Sequence, residues 1–203
     1  MIDHNHWKEA QYEEQRWWGD CANTYWEEHK QLTYAKYMGL EFYEDHQSPY
    51  NIDAKVKNIM DIGGGPVSLL LKAKNLKQGY VVDPCQYPKW VRSRYKTKNI
   101  SLMSVAAEKL DYITFEVNEV WMYNCLQHTE DPRQIIKNGL SALTDDGVFR
   151  IFEWIDTPTN DAHPHSMTEN YLNEQFNAVG KTVELAAEGC YGKAYYGVFD
   201  ATN

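Results

Sequence analysis

Apolar and polar positions follow two regimes along the chain. Up to about residue 45 there is no proline, and Glu, Gln and Lys are mixed with aromatic rings. Trp18, Cys21, Ala22, Tyr25 and Trp26 recur at intervals of three and four, the period of a helix with one apolar face. The spacing predicts two helices, broken near Gly19-Asp20 and ending at Gly39. Ser48-Pro49-Tyr50-Asn51 reads as a turn. It divides a helical cap or lid over 1–52 from a main domain over 53–203.

Beyond that turn, short apolar runs alternate with helical stretches. Val56–Ile62, Tyr80–Asp83, Ile100–Val105, Phe115–Tyr123 and Val148–Trp154 read as strands. Pro66–Leu76, Pro88–Tyr95, Pro132–Leu143 and Thr168–Val179 read as helices, and Asp145-Asp146-Gly147 as a turn. Val183–Ala187 and Ala194–Phe199 form a closing hairpin. Strands alternating with helices dictate a parallel sheet with right-handed crossovers. The expected fold class is therefore α/β, a doubly wound, mostly parallel seven-stranded sheet with an N-terminal helical extension.

Composition narrows the setting. The 203 residues suffice for one well-cored domain and a modest addition. No apolar run approaches the ~18–20 residues that cross a bilayer, and residues 1–6 lack the basic and apolar regions of a signal peptide. A cytoplasmic location without membrane association is expected. A net charge of −9 argues against a nucleic-acid partner. The four scattered cysteines read as reduced thiols. His163 with His165, and His4 with His6 in a terminus expected to fray, offer too few ligands for a metal. The early rings, among them Trp7, Trp17, Trp18 and Tyr34, either pack this segment onto the core or roof a ligand pocket, and both readings stay open.

The candidate chemistry begins at Asp61-Ile62-Gly63-Gly64-Gly65-Pro66, where the first strand meets the next element. Ligands of open α/β sheets bind at the carboxyl ends of the strands, and glycines there allow close backbone approach. A dinucleotide loop needs G-x-G-x-x-G, but Ser68 stands at the third glycine. An acid ahead of the glycines suits a cationic ligand better than a pyrophosphate. Asp83 lies twenty residues after Gly63 at the end of the second strand. A carboxylate there can accept hydrogen bonds from both ribose hydroxyls.

These segments resemble the class I S-adenosylmethionine-dependent methyltransferases over roughly residues 55–200. The acidic glycine motif is Asp61-Ile62-Gly63-Gly64-Gly65, and Asp83 matches the ribose-binding acid. Ala107-Glu108-Lys109-Leu110 resembles the segment lining the adenine, and Val117–His128 the fourth strand and its loop. The resemblance implies S-adenosylmethionine as cofactor and S-adenosylhomocysteine as product. It implies a cofactor site of Asp61, Gly63, Gly64, Gly65, Asp83, Pro84, Ala107, Glu108 and Asn124. Val67, Ala106 and Asn118 depart from residues that many members carry there.

His128, just past the fourth strand, is the candidate catalytic base, because an imidazole titrates near neutral pH. Glu153, Asp156, His163 and His165 are weaker candidates beyond the fifth strand. The expected activity is methyl transfer to an oxygen or nitrogen of a small-molecule acceptor. A macromolecular acceptor, or cofactor binding without catalysis, are the alternatives.

Overall fold

The structure is a computed structural model, and it describes residues 2–46, 48–112, 115–187 and 189–201. Seven strands form the central sheet: β1 Asn58–Ile62, β2 Gln78–Val82, β3 Ile100–Met103, β4 Val117–Tyr123, β5 Leu143–Trp154, β6 Lys181–Ala187 and β7 Cys190–Asp200. Their spatial order is β3-β2-β1-β4-β5-β7-β6. The first five run parallel, and β7 runs antiparallel between β5 and β6. The order reverses between β1 and β4, so their carboxyl ends open a crevice at the switch point.

Helices α1 His4–Trp18, α2 Tyr25–Tyr37, α3 Lys89–Lys96, α4 Pro132–Ser141 and α5 Glu169–Phe176 surround the sheet. One apolar core joins Tyr34, Ala35 and Met38 of α2 and Val91 and Tyr95 of α3 to Trp121 and Phe152 of the sheet. The other joins α4 and α5, through Ile135, Ile136, Leu172 and Phe176, to Val120, Met122 and Phe149. Tyr34 stacks on Phe152 with centroids 4.5 Å apart. The α2 helix is thus part of the core. Its end is also fastened to the sheet by Arg150, which donates to the Met38 carbonyl at 2.9 Å and to buried Glu119 at 2.8 Å.

Four expectations are corrected. No α-helix spans Pro66–Leu76. Two 3₁₀ turns, Gly65–Val67 and Leu69–Lys72, lead to a two-residue strand at Ala73–Lys74. Ser68, at φ −41° and ψ 143°, breaks the path. The amides of Ser68 and Leu69 donate to the hydroxyls of Tyr95 (2.9 Å) and Tyr123 (3.0 Å), and that of Leu70 donates to Ser68 Oγ (3.0 Å). Amides satisfied by side chains do not need a helical ladder. The turn expected at Asp145–Gly147 is absorbed into β5, whose register with β4 shifts between Val117 and Glu119. The helical spacing from Trp18 to Trp26 straddles the non-helical link between α1 and α2, where Cys21 has φ +60°. The N-terminus is docked: the Ile2 amide donates to the Glu130 carbonyl at 3.1 Å, and His4 Nδ1 lies 3.1 Å from Glu130 Oε1.

Candidate active site

The glycine loop leaves β1 with Gly63 at φ +72° and Gly65 at φ +62°. Beneath it sits Asp61, fully buried. Asp61 Oδ2 accepts from the Ser68 hydroxyl at 2.5 Å and the Tyr123 hydroxyl at 2.6 Å. Burial pushes its pKa up to about 7, against the pull of those hydrogen bonds. A Cβ on Gly64 would lie 2.7 Å from the Asp61 carboxyl, so glycine is what lets the loop close over the acid. Asp61 Oδ1 has no partner among the described residues, and Asp61 lines neither cavity described below. It lies under the loop, which it supports through Ser68 and Tyr123.

Asp83, at the end of β2, holds the loop from the other side. Its Oδ2 accepts the Gly65 amide at 3.1 Å, and its Oδ1 accepts the Cys85 amide and the Tyr87 hydroxyl, each at 2.9 Å. Burial raises its pKa to about 6. Two carboxylate oxygens offer about four acceptor positions. Three are in use, so one remains open to a ribose hydroxyl, and a second such bond requires the Tyr87 hydroxyl to give way.

The loop after β4 completes the floor. Asn124 has φ +49° and accepts from Gln127 Nε2 at 3.0 Å. Its fixture is Glu153 of β5, fully buried, whose Oε2 accepts the amides of Cys125 (2.9 Å) and Leu126 (2.7 Å) and whose Oε1 accepts that of Trp154 (3.1 Å). Burial lifts the Glu153 pKa to about 7. Glu153 therefore braces the loop and lines neither cavity. Glu108 spends Oε1 on the amides of Glu130 (2.8 Å) and Asp131 (3.1 Å). The Ala107 and Glu108 carbonyls both accept from Asn138 at 2.9 Å. The segment expected to line the adenine is thereby tied to α4.

Two cavities meet over this floor. The smaller, about 70 Å³, is lined by Asp83, Pro84, Ala106, Ala107 and Glu108 and closed by Trp7, Gln11 and Glu14 of α1. The larger, about 560 Å³, runs from Gly63, Gly64 and Gly65 past Tyr123 to Trp154, between α1 and α2. Glu14, Gly63, Asp83, Asn124 and His128 border both. Every residue expected at the cofactor site except Asp61 therefore lines one cavity or the other. The early rings divide between the two roles left open: Tyr34 packs in the core and also borders the larger cavity, Trp7, Trp17 and Trp18 border cavities, and Tyr25 and Trp26 stay exposed. Tyr123 and the α1 residues Gln11 and Glu14 also border these cavities and were not anticipated, and Ser68 supports Asp61 beneath the loop.

His128 ends a 3₁₀ turn, Leu126–His128. Its Nδ1 lies 3.1 Å from the Ala162 carbonyl and so carries the proton, leaving Nε2 as the acceptor. The His163 ring meets it edge-on at 4.6 Å. Burial lowers the His128 pKa to about 4, only partly countered by the Ala162 hydrogen bond. The imidazole is held neutral, and it is a weaker base than its type suggests. An NMR titration of the ligand-free protein should place its midpoint near pH 4; a midpoint near 6.5 would refute the dry environment. Because the folded pKa lies below the unfolded ~6.5, His128 contributes stability that is complete above pH 6.5 and is lost as pH falls through 4.

Asp156 pairs with Lys193 at 3.0 Å, and His165 Nε2 lies 3.0 Å from the Thr129 carbonyl, so both have structural partners. No group of three or more His, Cys, Asp or Glu side chains among the described residues is arranged to hold a metal ion. No helix among them is long and apolar enough to cross a membrane.

Neither a protein-family model nor a curated protein sequence matches the chain. Solved structures do. The N-methyltransferase NodS from Bradyrhizobium japonicum WM9 superposes with a TM-score of 0.60 at 13% identity, covering 88% of this chain and 97% of NodS. The Burkholderia thailandensis 1,6-didemethyltoxoflavin-N1-methyltransferase, with bound 1,6-didemethyltoxoflavin and S-adenosylhomocysteine, gives a TM-score of 0.55 at 16% identity over 71% of each chain. An O-methyltransferase family protein from the same species gives 0.54 at 12% identity over 72% of this chain. The match spans about half, 51%, of that protein's length. Likeness at such identities fixes architecture alone. The chain has the fold of the class I S-adenosylmethionine-dependent methyltransferases.

Proposed function

We propose that the protein is an S-adenosylmethionine-dependent methyltransferase acting on an oxygen or nitrogen of a small molecule. The observation that carries this reading is the pair of joined cavities at the carboxyl ends of β1, β2 and β4. Asp83, Pro84, Ala107 and Glu108 would hold the adenosine end in the smaller cavity. Gly63, Gly64, Gly65 and Asn124 would face the methionine end, with Asp61 supporting the loop from below. When bound, this cofactor supplies a methyl group already activated by a sulfonium, so the protein's main task is alignment.

His128 borders both cavities with an unprotonated Nε2 across the neutral range. It is proposed to accept a hydrogen bond from the acceptor's O–H or N–H and orient its lone pair. The low basicity of the ring favours positioning over outright proton removal. A roof formed by α1 limits access for a polymer, and the toxoflavin enzyme of the same fold works on a small molecule.

Calorimetry tests the reading. S-adenosylhomocysteine should bind and NAD should not. Asp83→Ala should weaken S-adenosylhomocysteine by about 1–3 kcal/mol, as expected when hydrogen bonds to a charged group are lost, while far-UV circular dichroism stays unchanged. Heat from NAD but none from S-adenosylhomocysteine would overturn the assignment. Binding without turnover across a broad acceptor panel would leave a cofactor-binding protein.

Residues 1–52 are proposed to act as a closing roof, contributed mainly by α1. Of its fifteen residues only Ala10 is buried, with Trp18 partly buried against the core, so α1 is held largely by contacts at its surface. Backbone amides over residues 4–18 should exchange more slowly with hydrogen once S-adenosylhomocysteine binds. Equal protection with and without ligand would reduce α1 to packing.

A further inference from the structure

The larger cavity has a chemistry of its own besides the glycine loop. Gln31 of α2 is 94% buried, judged by its 6% exposure, yet it borders this cavity. Its Oε1 has no hydrogen-bond partner among the described residues, and neither has the buried Thr157 Oγ1 on the opposite wall. Burying an unpaired polar atom is costly, and a donor arriving with a ligand removes that cost.

The charges nearby have one sign to spare. Lys30 spends its ammonium on Glu27 at 2.5 Å, and the exposed Glu13 pairs with Arg16 at 2.9 Å. Asp83 is turned to Gly65, Cys85 and Tyr87. Glu14 has no Lys or Arg at ion-pair distance among the described residues, and Lys30, the cation that acts on it from farther off, is already paired with Glu27. Its Oε1 accepts from Trp18 Nε1 at 2.7 Å, and its Oε2 faces His128 Nδ1 at 3.6 Å. That ring and His163 are both held neutral by burial. Trp17, Trp18, Tyr34 and Trp154 supply aromatic walls, and ring faces attract cations.

Resting on the methyltransferase reading, we propose that the acceptor is a small molecule carrying an amine, anchored as its ammonium by Glu14, Gln31 Oε1 and the aromatic walls while another oxygen or nitrogen of the molecule, with a free lone pair, takes the methyl group, and that anionic acceptors are excluded. A carboxylate or phosphate would meet Glu14 unshielded and would leave Gln31 Oε1 unpaired, so selection works by repulsion as well as attraction.

Matched probes test this by calorimetry on the full chain saturated with S-adenosylhomocysteine. Tyramine, 4-hydroxyphenethyl alcohol and 4-hydroxyphenylacetate form one series, and tryptamine and indole-3-acetate a second. In each series the amine should bind about tenfold or more tighter than the acid, with the alcohol between. Glu14→Gln should erase the preference. Gln31→Leu should weaken the amine severalfold and leave S-adenosylhomocysteine affinity unchanged. Equal binding of amine and acid, preference for the acid, or no binding by either amine at millimolar concentration overturns the proposal. So does a Gln31→Leu variant that loses S-adenosylhomocysteine affinity while keeping its amine preference, because Gln31 then serves the cofactor tail. Failure of S-adenosylhomocysteine to bind the unaltered protein is a separate result and sinks the methyltransferase reading itself.

Discussion

Gly63→Ala is expected to destabilise the protein by about 2–5 kcal/mol and to abolish S-adenosylhomocysteine binding. Two costs add. A residue with a side chain at φ +72° pays roughly 1–2 kcal/mol for the left-handed backbone. Its Cβ would also run into Cys125 Sγ and Cβ, well inside van der Waals contact. Cys125 cannot retreat cheaply, because its amide is fastened to buried Glu153, and overpacking a tight site costs about 1–3 kcal/mol. For a chain of this size each kcal/mol moves Tm by about 2–4 °C, so thermal denaturation should show a fall of roughly 4–20 °C. A variant that melts and binds like the parent would show that the loop can shift to admit the methyl group.

Glu153→Ala should be comparably severe, at about 2–5 kcal/mol, because it strips the acceptor from the Cys125 and Leu126 amides in a dry interior. The loop carrying Asn124 and His128 loses its anchor, so S-adenosylhomocysteine affinity should fall with stability. Glu153→Gln keeps one acceptor oxygen and should fall between. The ionisation of Glu153 adds a signature. Its folded pKa, raised to about 7, lies above the unfolded value, so this group's contribution is complete below about pH 4.5 and is lost as pH rises through 7. The stability gap between the parent and Glu153→Gln, measured by urea denaturation, should therefore be wider at pH 5 than at pH 8. A gap that widens with rising pH would reverse the assigned shift.

Much of this arrangement was legible before any coordinates. Runs such as Val117–Tyr123 and Ile100–Met103 are apolar enough to read as strands, and Asp83 follows Gly63 at the spacing of an α/β nucleotide site. The stretch after the glycines was misread because Leu69-Leu70-Leu71 carries no period of its own and Pro66 suits a helix start equally well. What decides it is the tertiary reach of Tyr95 and Tyr123, whose hydroxyls take the amides a helix would use. The place of Asp61 beneath the loop is hidden for a related reason: sequence shows an acid beside a ligand loop but not which side of the loop it occupies. Glu153 did leave a signal, a lone carboxylate in the apolar run Phe149–Trp154. Its place near the carboxyl end of the fifth strand suggested acceptor chemistry, whereas burial makes it a brace. Gln11 and Glu14 were invisible as site residues, since nothing in an amphipathic helix tells which cavity its polar face will close.

The docking of α1 has a kinetic meaning. Hydrogen bonds hold much of this segment down: Gln11 Nε2 donates to the His128 carbonyl at 2.9 Å, the Gln86 amide donates to Gln15 Oε1 at 2.9 Å, and, just ahead of the helix, the Ile2 amide donates to the Glu130 carbonyl at 3.1 Å. Each contributes a net ~0.5–1.5 kcal/mol, so the helix can lift away without disturbing the sheet beneath. On the proposed reading, a ligand in the smaller cavity, which α1 residues line, leaves while the helix is lifted. If α1 acts as the roof proposed above, the ligand's residence time is set by the helix's opening rate rather than by its own contacts, and in a methyltransferase product departure would then limit turnover. Weakening one of these latches, as Gln11→Ala would, trades affinity for speed.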